Sequence, residues 1–218
     1  RVHALWSLEG RAAISPDIIL DALKDVDRSV RMSAARLAEP WLKVTGSDAI
    51  LDQLILNTRT DDITELRQMV LSLGAQKNIL SHMAIRSVLY NHAEKPHILD
   101  AALSGLAGQE LEFLELLLGE KRWHNAKNRS NVIEALADCI FKEGRPSRVG
   151  NLVHYTYGRR KQDGQRIPRL RGSDRNSSKG KPVYYDKKPS MLGKLQKSKY
   201  PEEAKLAKSI DRLFLWKG

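Results

Sequence analysis

Asp21-Ala22-Leu23-Lys24-Asp25-Val26-Asp27-Arg28-Ser29-Val30-Arg31-Met32-Ser33-Ala34-Ala35-Arg36-Leu37-Ala38-Glu39 is the stretch that decides the fold. One helix closes near Lys24, an acidic turn follows, and a second helix opens after Asp27. Asp27 is an N-cap, because its carboxylate can accept an orphan amide of the new first turn. Val30, Ala34, Leu37 and Ala38 recur at helical spacing and make one apolar face. The small residues at 34, 35 and 38 let another helix lie close. Arg31 can reach back to the turn carboxylates. A helix pair wired this way cannot bury its apolar face alone, so it must stack on copies of itself.

Working outward, the copies are found. Val2 to Glu9 reads as the second helix of a repeat, stopped at Gly10. Ser15-Pro16 opens the helix that carries Ile18, Ile19, Leu20 and Leu23, with Ser15 as N-cap and Pro16 at the first position. Pro40 stops the Asp27 helix. Ser47-Asp48 begins the next pair, with Ile50, Leu51, Leu54 and Ile55 inward. Thr60-Asp61-Asp62 caps its partner, whose Leu66-Arg67 matches Val30-Arg31 at an offset of 36, and Gly74 ends that helix. Backwards, Arg1 matches Arg31 at an offset of 30. An irregular period of 30–36 residues with two helices per unit indicates HEAT-like repeats.

Beyond these, Ile79–Tyr90 and Pro96–Leu106 form a more degenerate pair in which Asp100 replaces the arginine. Gln109–Leu118 is a strongly apolar helix. Asn131 with Glu134 resembles a capping box that opens a helix through Phe141. Arg148–Tyr157 is a shorter helix. The reading is therefore all-α: a right-handed α-α superhelix of about four to five helix pairs over residues 1–157. Residues 158–187 follow as a basic loop or insertion, and 188–218 as C-terminal capping helices of the same domain. Val183-Tyr184-Tyr185 is a brief apolar island suited to a short extended segment. Pro201-Glu202-Glu203 starts the last helix, with Leu206, Ile210, Leu213 and Phe214 buried, and Trp216 closes the stack.

The charge is lopsided. Residues 1–120 carry net −5 and residues 121–218 net +16. Arg159, Arg160, Lys161, Arg166, Arg169, Arg171 and Arg175, with Lys179 and Lys181, form a candidate anion- or partner-binding stretch. Tyr155, Tyr157, Tyr184 and Tyr185 flank it and can stack on bases. A charged loop of this kind can equally be solvated or dock an acidic partner.

Other chemistry finds little footing. Cys139, the single cysteine, excludes an internal disulfide, a cysteine-rich zinc site and a CxxCH haem attachment, and suits a small buried hydrophobe. The six histidines show no i,i+4 metal pair, and the aspartate pairs sit where capping explains them. There is no phosphate-binding glycine loop and no nucleophile elbow. The four tryptophans are spread along the chain, as inter-repeat packing requires. No apolar run approaches the ~20 residues of a membrane helix. Arg1 opens inside a helix, so the chain reads as a piece of something longer.

The Asp21–Glu39 stretch resembles the HEAT-like repeats first named from phycobiliprotein lyases. His3-Ala4-Leu5-Trp6-Ser7-Leu8-Glu9-Gly10 at the front is more specific, as is the run from Gly180-Lys181-Pro182 to Leu213-Phe214-Leu215-Trp216-Lys217-Gly218. Together they are similar to the helical-repeat segment of envelope dehydrogenase-like proteins of Planctomycetes- and Bacteroidetes-type bacteria. In that family a β-propeller precedes the repeats and a c-type cytochrome follows them. The resemblance implies a periplasmic, non-catalytic scaffold that orients those two domains. It implies no cofactor in this segment, with haem c only in a following domain, and partners that are other domains of one polypeptide or a separate protein. No catalytic residue of the family maps here, and the Arg159–Lys179 stretch is longer and more basic than the resemblance leads one to expect. The rival expectation is a cytoplasmic nucleic-acid-binding HEAT protein of the DNA-repair glycosylase type. A bilin lyase or other repeat-based binder is a third.

Overall fold

The computed structural model describes residues 1–44, 48–120, 123, 129–158, 168–171, 183–185, 188, 190–212 and 214–216. Within them the fold is all-α, apart from one pair of three-residue strands. The chain divides into two compact units, Arg1–Ala107 and Gly108–Gly218. The division falls inside the stretch that the sequence reads as one repeat array.

The first unit contains α1 (Val2–Gly10), α2 (Pro16–Leu23), α3 (Arg28–Ala38), a 3-10 turn (Trp41–Lys43), α4 (Asp48–Asn57), α5 (Ile63–Leu73), α6 (Ile79–His92) and α7 (Pro96–Gly105). Helices α1, α3, α5 and α7 pack in sequence as one layer, and α2, α4 and α6 form a second layer against it. Local chemistry starts these helices where the sequence predicts. Pro16 occupies the first turn of α2, and the Ser15 hydroxyl accepts from the Ile18 amide. Asp27 accepts from the Ser29 amide at 2.7 Å, and Asp62 from the Thr64 and Glu65 amides at 2.9 Å. Asn78 does the same for α6.

Between the layers lie Ile19, Leu23, Ala34, Ala35, Ala38, Leu54, Met69, Leu73, Ile85 and Ile98, all fully excluded from water. The capping residues Asp27 and Asp62 stand 35 apart, so the repeat offset is 35 and not 36. At that offset the buried Val30, Ala34, Ala35, Leu37 and Ala38 fall on Glu65, Met69, Val70, Ser72 and Leu73, which are likewise buried. Arg67 is therefore not the counterpart of Arg31; it points outward, and buried Leu66 stands in the arginine's place. The stop after α1 also differs. Gly10 is its last helical residue, and Ala12 takes the left-handed backbone, at φ 52°.

In the second unit, α8 (Glu110–Gly119) packs on α9 (Arg129–Glu143), α9 on α10 (Pro146–Gly158), and α10 on α12 (Ser190–Gln196). Residues 168–171 form the single helical turn α11. Helix α12 packs on α13 (Pro201–Asp211). Strands β1 (Val183–Tyr185) and β2 (Phe214–Trp216) pair in parallel, Tyr184 opposite Leu215.

Two boundaries depart from the sequence reading. Helix α9 already begins at Arg129, so Asn131 lies exposed inside its first turn and is not the cap. The last helix ends at Asp211, and Phe214 to Trp216 is a strand. Aromatic residues on both segments, with Val183 on β1, favour the extended pairing over another helical turn. The side chains of Phe214 and Trp216, and the whole of Leu213, lie outside the described residues.

Candidate functional site

Several charged residues of the repeat turns form a ladder between successive repeats. Arg1 pairs with Asp25 at 2.9 Å, and Arg28 pairs with Asp62. Arg31 sends Nε and Nη2 to the two carboxylate oxygens of Glu65 at 2.6 and 2.8 Å. Its Nη1 donates to the carbonyls of Asp25 and Val26. Glu65 is buried and also accepts from the Thr60 hydroxyl. The hydrogen bonds to Glu65 hold the Arg31 guanidinium above its ordinary value. Backbone amides hold the carboxyls of Asp27 and Asp62 below theirs, chiefly those of Ser29 and Glu65 respectively.

An open groove of about 760 Å³ lies at the C-terminal ends of α1 and α3, closed on one side by the 3-10 turn. Trp6 and Trp41 supply its aromatic surface, Glu9, Arg36, Glu39 and Lys43 its charge. Trp6 is 43% exposed. Pro40 and the following turn place Trp41, which is half-buried. Glu39 is fixed twice: it pairs with Arg36, and its other oxygen accepts from the Ser72 hydroxyl at 2.9 Å. Glu9 and Lys43 are exposed and make no ion pair with any described residue. The two indole N–H groups likewise have no acceptor among the described residues. The left-handed Ala12 sits on the groove's lining. The sequence reading took these tryptophans for packing. Among the described tryptophan side chains, Trp123 fits that reading fully, buried with the Arg129 guanidinium 5.1 Å from its ring centre.

The basic candidates divide. Arg169 is fully buried in the 168–171 turn, which removes it from any surface that could meet a polyanion. Arg171 is exposed and grips Glu202 of α13 at 2.6 and 2.9 Å. Arg159, Arg160, Lys161, Arg166, Arg175, Lys179 and Lys181 lie outside the described residues. Six further described and exposed cations sit on the α12–α13 hairpin: Lys194, Lys197, Lys199, Lys205, Lys208 and Arg212. Tyr200 is exposed there under the Lys199 ammonium, and Tyr184 is 62% exposed on β1.

Within the second unit, Arg148 is buried among carboxylates, 2.8 Å from both Glu112 and Glu143 and 3.6 Å from Glu110. This joins the start of α10 to α8 and to the end of α9. Burial, with the Glu110 and Asp138 charges, pushes the Cys139 thiol up. A lone, half-buried cysteine cannot provide the two thioethers of a c-type haem, so these residues do not fit that group. Among the described residues no three histidine, cysteine or carboxylate side chains converge as metal ligands, and no helix is long and apolar enough to cross a membrane.

The chain matches no protein-family model, no curated protein and no solved structure.

Proposed function

We propose that this chain is a non-catalytic scaffold, a right-handed superhelix of HEAT-like repeats that orients other domains of a larger protein. The observation that carries the reading is where the charged side chains go. Four of those in the repeat turns pair one repeat with the next, through Arg31–Glu65 and Arg28–Asp62. The groove that stays open is walled by indoles, and such a surface binds. The likeness of its ends to a dehydrogenase- and cytochrome-linked segment points to a periplasmic redox protein as the parent. The test is direct: purified chain is expected to show no haem Soret band when expressed with haem-attachment machinery, and to oxidise no sugar with an artificial acceptor. Either activity ends the scaffold reading.

The exposed lysines and tyrosines of α12, α13 and β1 favour one other reading, a nucleic-acid-binding repeat protein that also uses the stretch from Arg159. It predicts DNA binding that weakens steeply with salt and is lost when Arg159, Arg160 and Lys161 become Glu. Absence of binding at physiological salt removes it.

A further inference from the structure

We infer that the Trp6–Trp41 groove is a receptor for an extended, proline-containing peptide. The inference rests on the scaffold reading and names the chemistry of its partner. Three features of the groove select that ligand together.

The first is the hydrogen-bonding character of the walls. An indole N–H only donates, and those of Trp6 and Trp41 have no acceptor among the described residues. A polyproline-II segment is the matching ligand, because its carbonyls have no internal partner and its prolines carry no N–H. A helical peptide has already used its carbonyls, so the indoles gain nothing from it.

The second is shape. The groove is open and about 760 Å³ in volume, within the range of sites that enclose small ligands. Five residues of polyproline II span about 15 Å and arrive pre-ordered, which lowers the entropic cost of binding. Aromatic-lined grooves recognise such segments by packing pyrrolidine rings against indole faces.

The third is charge. The Arg36–Glu39 pair is held by Ser72 and is internally neutral. Glu9 and Lys43 are the unspent charges, one on α1 and one on the 3-10 turn. A peptide with a cation and a carboxylate flanking its prolines satisfies both and has its direction set by them. Ala12 supports the assignment, since a non-glycine residue held left-handed stores backbone strain and such strain gathers at binding clamps.

The experiment uses the full chain and a fluorescein-labelled peptide of the order Arg-Pro-Leu-Pro-Pro-Leu-Pro-Asp, its charge-reversed order, and a Gly/Ser peptide with the same ends. Anisotropy and tryptophan emission are recorded for each. One proline peptide order is expected to bind at least about tenfold tighter than the Gly/Ser peptide, and Trp6→Ala or Trp41→Ala to weaken it about tenfold or more. Glu9→Lys and Lys43→Glu form an independent arm, because both residues are exposed and neither change disturbs the core. Each is expected to weaken the preferred order and narrow its advantage over the reversed one. Equal affinity for the proline and Gly/Ser peptides, no binding at millimolar peptide, or affinity unmoved by all four substitutions overturns the inference. So does tryptophan quenching by a soluble glucan oligomer where the peptide gives none. A failed titration with no Soret band and no sugar oxidation removes this inference alone. Either of those activities removes the scaffold reading, whatever the peptide does.

Discussion

Arg31 donates to both oxygens of Glu65 and to two carbonyls of its own turn, so one side chain ties a turn to the following repeat. Removing it strands a carboxylate that is almost completely buried. Arg31→Ala is expected to cost about 2–3 kcal/mol in urea unfolding, below the ~3–5 kcal/mol of a fully buried pair because 22% of the arginine side chain stays wet. Glu65→Gln should cost less, since the amide oxygen can still accept from the guanidinium. The capping aspartates set a pH dependence. Their folded pKa values are lowered from 3.8, so their contribution is present above that value and lost as pH falls through the folded values. An Asp27→Asn, Asp62→Asn double variant keeps the cap acceptors and removes the titration. It should unfold with a flatter acid limb below about pH 4 than the parent, and an unchanged limb would place the acid sensitivity elsewhere. At this scale the caps Ser15, Asp27 and Asp62 were legible, because a cap is decided within three or four residues, while Asn131 was misplaced because α9 starts two residues earlier. The partner of Arg31 was not legible. Leu66-Arg67 repeats the text of Val30-Arg31, yet burial aligns Leu66 with Arg31 and leaves Arg67 in water.

Helices α5 and α7 approach each other at two glycines. A Cβ built on Gly74 would stand 2.6 Å from the Gly105 carbonyl oxygen and closer to its backbone carbon. Backbone cannot give way as a side-chain tip can, so Gly74→Ala must push the helix ends apart. The expected loss is about 3 kcal/mol, at the upper end of overpacking costs. Gly10→Ala is the matched control, with nothing within 4 Å and an expected change within about 0.5 kcal/mol. Equal melting of the two variants would show that the α5–α7 crossing tolerates a methyl group. The sequence marks Gly74 as a helix stop, but a crossing between residues 31 apart leaves no local signal. The same blindness explains the last element. Leu206, Ile210, Leu213 and Phe214 keep helical spacing, and the distant β1, which local pattern does not show, is what Phe214 to Trp216 pairs with as strand. The groove was hidden for a like reason: Trp6 and Trp41 are 35 residues apart, and each alone resembles a packing residue.

At the scale of the whole molecule, the repeat logic and the two compact units make a joint claim about cooperativity. A helical repeat gains its stability from its neighbours, and Arg1–Ala107 contains consecutive pairs with a continuous buried layer. The second unit has its own core, built on Phe113, Leu117, Val132, Ile140, Leu152 and Leu195. Each has its own buried apolar core, the condition for unfolding as a separate unit. Two reporters follow them separately. Unit 2 holds Cys139, half-buried on α9 with its thiol pushed up, so alkylation at pH 8 is slow until that unit opens. Trp6 and Trp41 belong to unit 1, and a Trp123→Phe, Trp216→Phe background makes tryptophan emission report on them alone. In urea the full chain is expected to show two midpoints, one by tryptophan emission and one by Cys139 labelling. Arg31→Ala should lower only the first. Coincident midpoints that fall together in Arg31→Ala would show that the chain unfolds as one cooperative body, by the ordinary test of coincident probes.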